Sequence, residues 1–191
     1  MPSKVYFDIG TNLFQGYQQL RTTFSITKDW HIVFVEPNPQ FWKSADLSVF
    51  SDLGSFSFFQ NAICDDPAKQ SQQTCSFFVT DDQTVLNRDK HVDQGGSLFV
   101  PTKTSITVAT LSILELVKPF VEFDEWFFKF DCEGAEFDSI PLLVKNHSEK
   151  IKHIVCEFHD KGSPVDWGWV EKKTEIINLL SEYNIPLTEW H

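Results

Sequence analysis

The sequence is poor in the residues that build cross-links and phosphate cradles. Four cysteines, Cys64, Cys75, Cys132 and Cys156, stand in 191 residues, none in CxxC spacing. They are too sparse for a disulfide scaffold and lack the pattern of a thiolate metal site. Free thiols in a reducing compartment are expected, the one conceivable bridge being Cys64 to Cys75 across two neighbouring strands. Basic residues are also few, 16 Lys and Arg against 27 Asp and Glu for a net charge of −11. Polyanions are bound through clustered cations, so nucleic acid and anionic membrane are not expected as partners, and a neutral or cationic small ligand suits the field. Solubility alone would account for the same charge. No apolar run is long enough to cross a bilayer, and no basic-then-apolar leader opens the chain, so a soluble, unsecreted, cytoplasmic protein is expected. The eight glycines never fall into GxGxxG or Gly-Lys-Ser/Thr order, which disfavours a pyrophosphate cradle and a P-loop.

What the chain has is aromatic mass, 19 Phe and 6 Trp, and an alternation of short apolar runs with segments of helical period. That alternation predicts an α/β fold with a mostly parallel central sheet and helices on both faces, in one domain over residues 1–191. Strands are expected at Val5 to Gly10, His31 to Pro37, Ser55 to Cys64, Thr74 to Thr80, through Ala109, Glu125 to Gly134 and Lys152 to Asp160. Thr74 to Thr80 is expected to pair with its predecessor or to extend the sheet edge. Helices are expected at Gln15 to Lys28, Gln40 to Leu47, Leu111 to Val117, Ala135 to Lys145 and Asp166 to Asn184. The first helix has Tyr17, Leu20, Phe24 and Ile26 as its inner stripe, and the last has Val170, Ile176, Ile177, Leu179 and Leu180 mostly on one side. The closing residues allow one short strand. Between Asp81 and Thr104 no period survives, and a structureless stretch of that length is a candidate substrate lid or a surface loop without a task.

Ligands of open parallel sheets lie beyond the carboxyl ends of the strands. Those ends carry Asp8 and Gly10, then Glu36, Asn61, Asp131 with Glu133, and Glu157 with His159. Any one could be a helix cap, and Asp8 or Asn12 alone would be read so; packing alone does not require the set. Gly10 lets backbone approach a ligand, and Glu36 stands where an acid accepts hydrogen bonds from two ribose hydroxyls. An acid on each of the first two strands without a pyrophosphate loop points to an adenosine ligand free of phosphates. S-adenosylmethionine fits, and its sulfonium suits a carboxylate-rich pocket.

These motifs resemble those of the FkbM-type methyltransferases, a branch of the Rossmann-like S-adenosylmethionine-dependent enzymes. "FDIGTN" is similar to the family's D-x-G-A-N, "VEPNP" (Val35 to Pro39) to E-P-N-P, "NAI" (Asn61 to Ile63) to N-A-I/V, and "KFDCEGAE" (Lys129 to Glu136) to K-I-D-V-E-G-A-E. "IVCEFH" (Ile154 to His159) resembles the strand that follows. The resemblance implies a class I methyltransferase fold with its terminal β-hairpin shortened or absent. It implies cofactor contacts from Asp8, Gly10, Thr11 and Asn12 near methionine and ribose, from Glu36, Pro37 and Asn38 at the ribose, from Asn61 and Ala62 near adenine, and Asp131 at the methyl-transfer end. It also implies O-methylation of a small molecule or sugar. Two departures stand out. Phe14 occupies the place of a usual glycine, with Gly16 two residues on, so that the turn is rebuilt or the methionine end narrowed; and a missing hairpin exposes a sheet edge that invites a homodimer.

Methyl transfer to a hydroxyl needs alignment and a base. Asp131 and His159 are the pair expected nearest the acceptor, with Glu133 as a further catalytic candidate. Glu133 and Gly134 could instead serve the next helix, and His159 could be a plain loop residue. Asp131, Glu133, Glu157 and His159 could hold a divalent ion that lowers the acceptor's pKa, although their spacing does not demand one and no metal ligand is assigned. Trp167 and Trp169 suit an apolar acceptor or, with the better case, packing at a helix start. Two other classes remain: an adenosine-binding module without chemistry, which Phe14 makes conceivable, and a Rossmann-type oxidoreductase, which the missing glycines count against.

Overall fold

From Val5 to Ile9 every residue of the first strand is buried, as a strand covered on both faces requires. The computed structural model describes residues 3–39, 50, 51, 53–67, 73–79, 96–98, 104–159 and 168–190. In chain order the elements are β1 (Lys4–Ile9), α1 (Gln15–Thr23), β2 (His31–Val35), β3 (Ser55–Phe59), β4 (Asn61–Ile63), β5 (Thr74–Val79) and β6 (Gly96–Ser97). There follow β7 (Thr104–Leu111), α2 (Ile113–Val117), β8 (Glu125–Phe130), α3 (Glu136–His147), β9 (Ile151–Cys156), α4 (Trp169–Glu182) and β10 (Leu187–Glu189).

Six strands form the main sheet in the order β10-β9-β8-β1-β2-β3, and every pairing in it is parallel. Side-chain alternation divides its core. Val5, Phe7 and Ile9 join Trp126, Phe128 and Phe130 and the apolar stripes of α2, α3 and α4. Phe7 and Phe128 stack at 4.5 Å with planes 6° apart, a cross-strand aromatic pair that ties β1 to β8. On the opposite face Tyr6, Ile32 and Phe34 pack with Tyr17 and Leu20 of α1. Helices therefore lie on both faces, as expected.

Several boundaries differ from the sequence expectation, for local reasons. The apolar run from Ser55 to Cys64 is two strands. Gln60 separates β3, in the main sheet, from β4, which pairs with β7 in a second sheet of order β4-β7-β5-β6. β5 does not pair with its predecessor or widen the main sheet; it runs antiparallel to β7 and β6. Helix α1 stops at Thr23 because Ser25 turns left-handed at φ 52°, while Ser25 and Ile26 donate backbone hydrogen bonds to Thr22 and Arg21. That is a Schellman ending. Asn184, φ 54°, ends α4 in the same way, with Ile185 donating to Leu180. On α4 the buried residues are Trp169, Ile176 and Leu180, whereas Val170 and Ile177 are exposed and do not belong to its inner face. Helix α2 starts two residues into its expected span, where Ser112 and Glu115 form a capping box. β10 pairs parallel with β9, and no terminal hairpin occurs in this sheet among the described residues. None of the four cysteines forms a disulfide. The expected helix from Gln40 and most of the expected lid from Asp81 lie outside the described residues.

Candidate active site

Strand order reverses at β1, whose chain continues to β2 on one side while β8 lies on the other, and there the carboxyl ends converge. Gly10 has φ +73°, and a Cβ on it would stand 1.7 Å from the Asp131 carbonyl oxygen. Glycine is thus required for the ends of β1 and β8 to close on one another, a tighter demand than ligand approach. Gly10 and Thr11 both donate their N–H to the Val35 carbonyl, which pulls the turn onto the end of β2.

Behind this turn lies Lys129, 2 % exposed. Its ammonium donates to the Gly10 carbonyl at 2.8 Å and to Asp131 Oδ2 at 3.0 Å, and stands 3.4 Å from Asp8 Oδ1. A Cβ at Gly16 would meet Lys129 Cε at 2.9 Å, so the second glycine makes room for the lysine stem. Asp8 is wholly buried; its Oδ2 accepts from Thr11 Oγ1 at 2.8 Å and from the Tyr17 N–H at 3.1 Å. It supplies the helix-start acceptor that Phe14, the N-cap of α1, lacks. Burial raises the Asp8 pKa, against the opposing pull of Lys129 and Thr11. The ring of Phe14 points into the aromatic core, 5.0 Å from Phe34 and 4.7 Å from Phe50, and its backbone takes the left-handed φ 65° that glycine adopts easily.

Glu36, at the end of β2, is 4 % exposed. Its Oε1 accepts from the Asn38 N–H at 2.8 Å and its Oε2 from the Asn12 N–H at 3.1 Å. One carboxylate thereby joins the two short motifs. Burial pushes its pKa up to about 7 despite both donors. Asn12 is left-handed at φ 48°, and its buried Oδ1 accepts no hydrogen bond among the described residues. Pro37 and Asn38 are buried beside Glu36. The Glu36 N–H donates to Phe59, which brings the β3–β4 junction to the same end; there Asn61 Nδ2 reaches the Thr110 carbonyl at 3.5 Å. Ala62 packs in the second sheet's core with Cys64, Phe77, Leu98 and Val108.

Beyond β8 the chain turns through Glu133, φ 54°, and Gly134, φ +111°. Ser97 Oγ of β6 donates to the Glu133 carbonyl at 2.8 Å. Glu136, fully buried, accepts from the Gly134 N–H at 2.9 Å, from the His159 N–H at 3.1 Å and from His159 Nδ1 at 3.0 Å. The other ring nitrogen, Nε2, is 3.4 Å from Glu133 Oε2, 3.8 Å from Asp131 Oδ1 and 4.0 Å from Glu157 Oε1. Burial presses the imidazole pKa down, but the Glu136 hydrogen bond and charge, with Glu133 and Asp131, overcome it and hold it at about 9. Burial raises Glu133 to about 7, with His159 opposing. At neutral pH His159 is therefore an imidazolium among carboxylates. Asp131, Glu133 and His159 lie together, with ligand atoms within 4.8 Å of one another. Trp169 stacks on Phe137 at 5.1 Å, which is packing at a helix start; Trp167 lies outside the described residues.

Two residues that hold the site were not singled out from sequence, Lys129 and Glu136. A lysine in an otherwise apolar strand was the available signal, since a buried ammonium persists only when paired.

A parallel sheet whose order reverses at β1, a glycine turn after that strand and acids at the ends of β1, β2 and β8 define a Rossmann-like fold with its crevice at those strand ends. The family model of the methyltransferase FkbM domain matches residues 8–185. The chain belongs to that family, and on that ground it is a methyltransferase. Comparison with curated proteins and with solved structures finds no match. No helix among the described residues is long and apolar enough to cross a membrane.

Proposed function

We propose that the protein uses S-adenosylmethionine to methylate a hydroxyl of a small molecule or sugar. The observation that carries this is Glu36, held by the Asn12 and Asn38 N–H groups beside an Asn12 Oδ1 without a hydrogen-bond partner among the described residues. A buried carboxylate at this strand end suits a nucleoside's ribose hydroxyls, and a ligand ammonium or hydroxyl suits the orphaned Asn12 oxygen. Asp8 and Lys129 act from behind, fixing the turn. The bound cofactor would supply a sulfonium methyl that passes to the acceptor oxygen as the carbon–sulfur bond breaks. The acceptor hydroxyl's proton goes to a carboxylate of the Asp131, Glu133 and Glu157 group. His159 is placed to orient those carboxylates, because Nδ1 is committed to Glu136 and Nε2 faces them.

Transfer of a labelled methyl group to a panel of sugars and polyols tests this. Glu133→Gln is expected to lower turnover by about 100-fold or more while leaving cofactor affinity nearly unchanged. Equal turnover in the variant would remove Glu133 from the reaction.

A further inference from the structure

We propose that Asp131, Glu133 and His159 form a binding site for one divalent first-row transition ion. Two carboxylate oxygens and one imidazole nitrogen lie within 4.8 Å of one another. Nε2 makes no hydrogen bond among the described residues: its carboxylate neighbours stand at 3.4, 3.8 and 4.0 Å, beyond the roughly 2.7–2.9 Å of a charge-assisted hydrogen bond. They are spaced as if around a third body. Ligands about 2.1 Å from one ion stand about 3.0 Å apart at right angles and about 3.4 Å apart at tetrahedral angles. The distances from Nε2, 3.4 and 3.8 Å, lie at or near that range, and the two carboxylate oxygens, within 4.8 Å of each other, would draw together on an ion.

The support behind the three residues points the same way. Asp131 Oδ2 is taken by Lys129, which leaves Oδ1 facing inward. The left-handed backbone of Glu133 is tied by Ser97. His159 Nδ1 is fixed by Glu136, the carboxylate–histidine arrangement that turns the second ring nitrogen toward a metal. Lys129, Ser97 and Glu136 are 2 %, 5 % and 0 % exposed, so all three supports are themselves rigidly enclosed. Mixed imidazole and carboxylate donors without a thiolate suit Mn²⁺ and its neighbours; Cys132 Sγ is directed to Glu136 instead. An ion here would displace the Nε2 proton of His159, since only the neutral ring is a ligand, and would lower the pKa of an acceptor oxygen bound to it, with Glu157 left to take the acceptor's proton. That role rests on the methyltransferase assignment, whereas occupancy of the site does not.

Titration of the chelator-treated full chain with Mn²⁺, followed by electron paramagnetic resonance, tests the site. The free-ion signal is expected to fall with one ion bound per chain at micromolar concentrations, and Glu133→Gln and Glu136→Gln are each expected to weaken binding by about tenfold or more. Should a variant fail to fold, the wild type still decides: bound Mn²⁺ must broaden the His159 ring resonances selectively. An undiminished free-ion signal, equal binding by folded Glu133→Gln, or broadening away from His159 overturns the proposal. S-adenosylmethionine binding, measured separately, reports on the Glu36 end and not on the ion.

Discussion

Phe14 combines a left-handed backbone, φ 65°, with a ring that is 1 % exposed. Left-handed geometry costs a bulky residue about 1–2 kcal/mol, and removing a buried phenyl ring costs about 3–5 kcal/mol, so the ring outweighs the strain. Phe14→Gly should therefore lose about 1–4 kcal/mol in denaturant unfolding with cofactor affinity little altered; a gain in stability would show that the strain dominates. Lys129→Met should lose about 3–5 kcal/mol at pH 8, because Asp8 is left as a buried carboxylate without its counter-charge. The folded pKa of Asp8 is raised already and rises further without Lys129. A raised carboxyl pKa contributes stability at low pH that disappears as pH rises through it. The deficit of the variant should accordingly shrink between pH 8 and pH 5, and a deficit independent of pH would exclude Asp8 as its cause. The acids at the strand ends were legible because each stands in a short local motif. Lys129 and Glu136 bound one of those motifs, but their roles were not legible, because their partners are remote: Lys129 meets Gly10 across 119 positions and Glu136 meets His159 across 23.

At the scale of elements, hydrophobic period located the parallel strands, since a strand buried on both faces is apolar throughout. It misplaced ends that depend on one residue's backbone. Ser25 and Asn184 terminate α1 and α4 by turning left-handed, and neither carries the glycine that would have announced it. Ser25→Gly should raise stability by about 1 kcal/mol by relieving that geometry, measured by thermal unfolding; an unchanged or lower midpoint would contradict the assigned helix ending. The division at Gln60 was illegible for a different reason. β3 and β4 are both apolar and nearly contiguous, and only the pairing of β4 with β7, fixed by distant sequence, separates them.

Across the whole molecule, the six-stranded sheet supplies the convergent carboxyl ends, while the second sheet begins at the β3–β4 junction and reaches the site through Ser97 and Glu133. The acidic balance of the chain, −11, agrees with a cationic cofactor and with the carboxylates gathered around His159. Calorimetric titration with S-adenosylmethionine at pH 8, where Glu36 with its pKa near 7 is ionised, tests the central claim most directly. One site per chain with micromolar affinity is predicted, weakened by about tenfold or more in Glu36→Ala through loss of its charge-assisted hydrogen bonds. Absence of binding at millimolar cofactor, or equal affinity in a folded Glu36→Ala protein, would contradict it.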